Sequence, residues 1–386
     1  MNIDLEQAIA SDIRGWDAID DHRTGTVGDR QTAQWLADNF RAAGLEPRQD
    51  AFALRRWVLR DCAVAVDGRR APGIPLFDGG TTAAAGLTAP LARLPGEGKG
   101  IGLASVGGAA GASANRALAA ARRSNGRPAL VAVTKGHPDV PGLALQNADR
   151  FNAPFGPPVV QVASEHEAWL GEAAAAGETA TVTAHVDFEA AQGWNVRARV
   201  AGRDPALAPL VVMTPKSAWW VCTAERGGGI ALLLAVARRF AAEPPQRDVL
   251  FVATSGHELG HLGLDSFLGD NPGLGAGAHA WIHLGANFAT RGGGTRLQAS
   301  EKALLALARG AMDDAECPPD QVTPLGERPG GEARNIHDLG GRYISYLGTN
   351  PWFHHPDDRW PTTVDVQKTA RLATAMLSIA DRLPAP

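Results

Sequence analysis

The sequence predicts an α/β fold: a mixed, mostly parallel sheet flanked by helices, with a β-rich insertion. Three observations predict it. From residue 195 onward, short apolar runs alternate with stretches of helical period, the pattern of strands feeding helices that cover both faces of a sheet. Between 52 and 190 the composition shifts to β-rich pieces among Gly, Ala and Pro connections. Before residue 50 the apolar period is helical.

Each element has its own signal. Leu5, Ile9 and Ile13 recur at helical spacing, and Thr32 to Ala43 forms an amphipathic helix that Gly44 ends. Trp57 to Val66, Ala129 to Val133, Val159 to Val162 and Thr179 to Val186 read as strands. A helix near Ser113 to Arg123 takes Ser113 as its N-cap. Asn195 to Val200 and Pro209 to Met213 are strands, then Gly228 to Ala241 a helix and Asp248 to Ala253 a buried strand. His279 to Gly285 is a strand, Lys302 to Asp313 a helix, Arg342 to Leu347 a strand and Val364 to Arg382 a closing helix. The chain thus divides into N-terminal helices (1–50), an insertion (51–190) and a catalytic unit (191–386).

Composition narrows the function. At 386 residues with net charge -4 and no basic run, nothing suggests a nucleic-acid surface. High Gly (45) and Pro (26) suit a loop-rich enzyme. Three scattered cysteines without a CxxC pair argue against a disulfide framework or a cysteine zinc site. The acidic start, with no apolar leader and no run of membrane-spanning length, predicts a cytoplasmic protein with no membrane partner. Oligomerisation stays open, and the expected partner is a small molecule or a short peptide-like substrate.

His257-Glu258-Leu259-Gly260-His261 admits two readings. On a helix, H-E-x-x-H puts two imidazoles on one face to bind zinc, with the glutamate as base. In context the segment follows an apolar strand at once, and Gly260 and Gly263 fall inside the supposed helix at about 1 kcal/mol each. The second reading is favoured: Glu258 is a single carboxylate at a strand end, with His261 in support. In open α/β sheets the chemistry sits at such ends. Four of them carry His or Glu: Glu225-Arg226-Gly227, His257-Glu258, His283, and Phe353-His354-His355-Pro356-Asp357-Asp358. The Gly227–Gly229 run lacks the G-x-G-x-x-G order and suits a close backbone approach instead.

This arrangement resembles the zinc aminopeptidase and glutaminyl-cyclase clan over 195–382, with a fainter match at 1–48. Phe353-His354-His355-Pro356-Asp357-Asp358 resembles its closing Tyr-His-Thr-Pro-x-Asp, and 52–190 suits the protease-associated domain often inserted there. The resemblance implies a zinc-aminopeptidase-like fold and zinc. Its departures are large. The usual His-x-Asp of the second zinc falls on Pro215-Lys216-Ser217, the bridging aspartate on Glu225, the base-and-ligand Glu-Glu pair on His257-Glu258, and a further aspartate ligand on His283.

The resemblance then implies one zinc ion on Glu225, Glu258 and His354, with His257 moving the proton and Lys216 or Arg226 supplying the charge of the missing second metal. Against this, Glu225 also suits a solvated helix start, and His283 a satisfied polar group. Trp219 and Trp220 suit core packing or an apolar substrate part. His337 and His355 are further site candidates. Three functions follow: a mononuclear zinc hydrolase of an amide or related bond, a cyclase, lyase or isomerase on the same scaffold, and a metal-free binding protein descended from a peptidase.

Overall fold

The computed structural model describes residues 3–96, 98–107, 115–136 and 140–383. The chain opens with α1 (Ile3–Asp17) and α2 (Val27–Ala42). The second helix starts five residues before its apolar period, because Thr26 caps it by accepting from the Asp29 amide at 3.2 Å. Next come β1 (Arg48–Val66), β2 (Arg69–Pro75), β3 (Leu87–Arg93), β4 (Ile101–Gly107) and α3 (Arg116–Ser124). Asn115 caps α3, and the expected cap Ser113 lies outside the described residues. Then follow β5 (Leu130–Lys135), β6 (Val159–Ala163), α4 (Glu167–Ala176) and β7 (Thr179–Val200).

β7 corrects the sequence reading, which split it into two strands. It runs unbroken for 22 residues because β1 pairs with it antiparallel from Arg48↔Arg197 to Val66↔Ala180. That backbone ladder holds the exposed stretch 187–190 in strand form, where the side chains give no apolar signal. The order β1-β2-β6-β5-β4-β3-β7, with β1 also on β7, closes these seven strands into a ring. Inside it sit Val64, Val131, Val160, Leu170 and Val182.

The remaining chain builds the covered sheet. Its elements are β8 (Leu210–Pro215), α5 (Gly228–Ala242), β9 (Val249–Thr254), α6 (Leu262–Asp270), α7 (Leu274–Gly277) and β10 (Ala280–Leu284). β11 (Thr295–Ala299), α8 (Lys302–Asp314), β12 (Gln321–Val322), α9 (Ala333–Asp338), β13 (Tyr343–Gly348) and α10 (Val366–Arg382) complete it. β9, β8, β10 and β13 run parallel side by side, as expected for strands joined through helices. Helices α1, α2, α5, α8 and α10 cover one face around Ile13, Phe40, Leu233 and Phe251. α6 and α9 cover the other around Met213, Phe267, Trp281 and Ile336. No helix among the described residues is long and apolar enough to cross a membrane.

Candidate functional site

The carboxyl ends of β8, β9, β10 and β13 converge as expected, and unusual backbone marks the place. Cys222, His261, Asn287 and His354 all have positive φ there, between 48° and 74°, a conformation that costs energy in non-glycine residues and clusters at functional sites. Residues 223–227 form a π-turn opening α5. Gly229 brings that helix against β8, since a Cβ there would strike Thr214 Oγ1. The 254–263 segment is not one helix. A 3-10 turn covers His257–Leu259, Gly256, Gly260 and His261 are left-handed, and α6 starts only at Leu262. The strand-end placement of Glu258 is therefore the one adopted.

Arg226 decides what this centre can hold. It is wholly buried, and its Nη2 lies 2.8 Å from Glu225 Oε1 and 2.7 Å from Glu258 Oε1. The other Glu258 oxygen accepts from Ser217 Oγ at 2.6 Å. Burial raises the Glu225 pKa while the Arg226 charge opposes the rise. His354 donates from Nδ1 to the Leu145 carbonyl at 2.6 Å, and its Nε2 stands 3.6 Å from Glu225 Oε1. A zinc ion on Glu225, Glu258 and His354 needs those oxygens at about 2.0–2.2 Å. It would then press a dication against a buried guanidinium that already neutralises them. No three His, Cys, Asp or Glu groups among the described residues form a metal-holding cluster. The residues present do not fit zinc at this position.

Two charge assignments are corrected. Arg226 provides a cation at the place expected for the retained zinc, not for the missing second one. Lys216 is withdrawn from the site: its fully buried ammonium pairs with the Asp29 carboxylate and donates to the Asp29 carbonyl at 3.2 Å. It thereby ties the end of β8 to the first turn of α2.

Beside this pair of carboxylates opens a cavity of about 810 Å³. His257, His261, His283 and His354 line it, with Asn287, Arg296 and Arg334. His257 Nδ1 is 3.2 Å from Glu332 Oε1, and Thr254 Oγ1 holds that carboxylate at 2.8 Å. A carboxylate that fixes Nδ1–H leaves Nε2 as the basic atom, the arrangement used by histidine general bases. Burial first, and then the Arg226 charge, hold the His257 pKa well below its usual value. Its ring stacks on His261 at 4.7 Å.

The other candidates lie further out. His337 meets the Tyr343 hydroxyl at 3.3 Å, and His355 receives the Asp357 amide and faces the Pro141 carbonyl. Neither lines the cavity. Trp220 donates to the His354 carbonyl at 3.0 Å. Trp219 donates to Asn147 and stacks on Phe77 in the wall of a second, aromatic cavity of about 240 Å³. Asp358 sits beneath the π-turn and accepts from the Ala224 and Glu225 amides, Asn350 and Thr363. Sequence reasoning missed Glu332, Arg296, Arg334 and Asp358 as partners.

A pH dependence follows from the buried imidazoles. Burial pushes His261 down to about 3, and His283 and His354 to about 4, from 6.5. Between pH 6.5 and 4 the unfolded chain therefore takes up protons that the native state refuses. Stability is full above pH 6.5 and is lost as pH falls. Asp358, raised to about 6 by burial, opposes this, as do Asp12, Glu225 and Asp265, whose carboxyls burial also raises. The urea midpoint is expected to drop from pH 7 to pH 5, and to drop less in His283→Gln/His354→Gln. A midpoint that rises would show the carboxyls dominate.

No family model matches the chain, and no curated protein does. Solved structures match its fold over nearly the whole length. A peptidase M28 precursor from Shewanella amazonensis superposes with TM-score 0.79 at 14% identity, covering 99% of this chain and 96% of that one. BSAP, a zinc aminopeptidase from Bacillus subtilis, gives 0.73 at 18%, covering 97% and 94%. Porphyromonas gingivalis glutaminyl cyclase gives 0.52 at 11%, covering 97% of each. The fold is that of the zinc aminopeptidase and glutaminyl-cyclase clan.

Proposed function

We propose that this chain is a metal-independent acid–base enzyme for a small polar molecule, of the cyclase, lyase or isomerase kind, on a peptidase scaffold. One observation carries the reading: the Arg226 guanidinium bridges Glu225 and Glu258, the carboxylates a single-zinc hydrolase would need. Fold alone selects no chemistry, so the site's own groups must supply it. His257, oriented by Glu332, is the group able to take and return a proton in the large cavity. Histidine chemistry of this kind contributes about 10²–10⁴ in rate.

Metal analysis of protein purified without chelator tests the reading. Zinc well below one ion per chain is expected, with activity on any substrate found in a screen unaffected by EDTA. Stoichiometric zinc removed together with activity would return the site to a mononuclear hydrolase. For a substrate that turns over, His257→Ala should lower kcat by about 10²–10⁴. Glu332→Gln should shift the pH profile as well as the rate. The depressed basicity of His257 favours a second reading, binding without turnover. Ligands that bind the parent and His257→Ala alike, with turnover by neither, would support it.

A further inference from the structure

The hydrogen bonds behind the four cavity histidines fix what their front faces offer. Glu332 is a carboxylate and the Leu145 group a carbonyl, so His257 and His354 must donate to them from Nδ1. Asn335 gives its amide hydrogens to Asp265 and turns its oxygen to His261 Nδ1 at 2.7 Å. Ser345 spends its hydroxyl hydrogen on Gln298, so His283 Nδ1 donates to it at 2.8 Å. Each neutral ring therefore keeps a bare lone pair on Nε2. Those of His283 and His354 are buried without a hydrogen-bond partner, as are Asn287 Oδ1 and Glu225 Oε1, the latter 3.6 Å from His354 Nε2. Buried acceptors of this kind call for a donor.

The same cavity holds positive charge. Arg296 on β11 and Arg334 at the start of α9 line it half-buried. Neither has a carboxylate within ion-pair distance among the described residues, whereas Arg328 and Arg342 close by are paired with Asp338 and Glu301. Asp149 brings a carboxylate to the lining, but it lies exposed. Four lone pairs could also suit a metal. However, no three such groups among the described residues form a metal-holding cluster, and two guanidiniums would repel a dication.

We infer that the cavity binds a hydroxylated anion, a sugar acid or sugar phosphate in chemical class. Its acid group rests on Arg296 and Arg334, and its hydroxyls donate to the histidine Nε2 atoms. Guanidinium pairing with carboxylate or phosphate supplies the charge-assisted bonds, and the volume is that of an ordinary small-ligand pocket. This deepens the metal-independent reading and rests on it, because a metal on those Nε2 atoms would leave no lone pair for a hydroxyl.

Calorimetric titration of the full chain, once in EDTA and once with added zinc, tests the inference. The probes are gluconate and glucose 6-phosphate, with sorbitol (hydroxyls without charge) and hexanoate (charge without hydroxyls) as controls. One or both hydroxylated anions should bind in EDTA roughly tenfold or more tighter than either control. Which of them binds distinguishes carboxylate from phosphate. Arg296→Gln and Arg334→Gln should each weaken binding by roughly tenfold, about 1.4 kcal/mol. No binding under either condition, controls that bind equally well, or unchanged affinity in both variants would overturn the ligand class and leave the metal-independent reading standing. Binding that appears only with zinc would overturn that reading and the hydroxyl contacts with it.

Discussion

Arg226→Met is expected to destabilise the fold by about 3–5 kcal/mol, the usual cost of removing one partner from a buried ionic group. Glu225 and Glu258 would be left facing each other without a cation, both buried. Urea unfolding at pH 7 reads the loss. Adding Glu225→Gln and Glu258→Gln should recover much of it, because the uncompensated charge is then gone. The same variant should gain what the parent lacks. With the guanidinium removed, the two carboxylates and His354 are free to take zinc. Metal at 100 times its Kd would then restore about 2.7 kcal/mol. Full stability in Arg226→Met without metal, or equal stabilisation of parent and variant by zinc, would show that Arg226 does not occupy the cation position.

Lys216→Met should be of similar size, about 3–5 kcal/mol. Lys216 and Asp29 are both wholly buried, and Asp29 also accepts from Ser255 Oγ at 2.8 Å and the Gly25 amide at 3.1 Å. Removing the ammonium strands a carboxylate within that network. Asp29→Asn/Lys216→Met should be more stable than Lys216→Met alone, and a double-mutant cycle on urea midpoints gives the coupling. Additive effects would mean that the pair does not interact. The zinc response separates the two predictions: Lys216→Met gains none, since its charge lies away from the Glu225–Glu258 pair.

The strands and helices legible in the sequence are those whose burial is one-sided or complete. β8 and β9 are almost wholly buried and α5 buries most of its residues, so apolar runs mark them. β3, with alternating exposed residues, and α6, which contains two glycines, gave weak signals. The strand ends were legible because topology brings them together whatever the loops contain. Partnerships were not. Glu332 lies 75 positions from His257 and Asp29 187 from Lys216, and no local pattern links residues so far apart. In Glu225-Arg226 the letters were visible, but not that the arginine turns back onto its neighbour and Glu258.

The closed ring of strands bears on the order in which the molecule can assemble. β1 and β7 pair residues separated by more than a hundred positions, and such distant pairings form slowly. The chain between them supplies the Leu145 carbonyl that holds His354 and the Pro141 carbonyl that faces His355. The half from β8 to α10 can therefore collapse around α5 first and still present a cavity with one wall missing. Recovery of ligand binding during refolding should lag behind recovery of helical signal, making occupancy of the cavity a report that the last ladder has zipped.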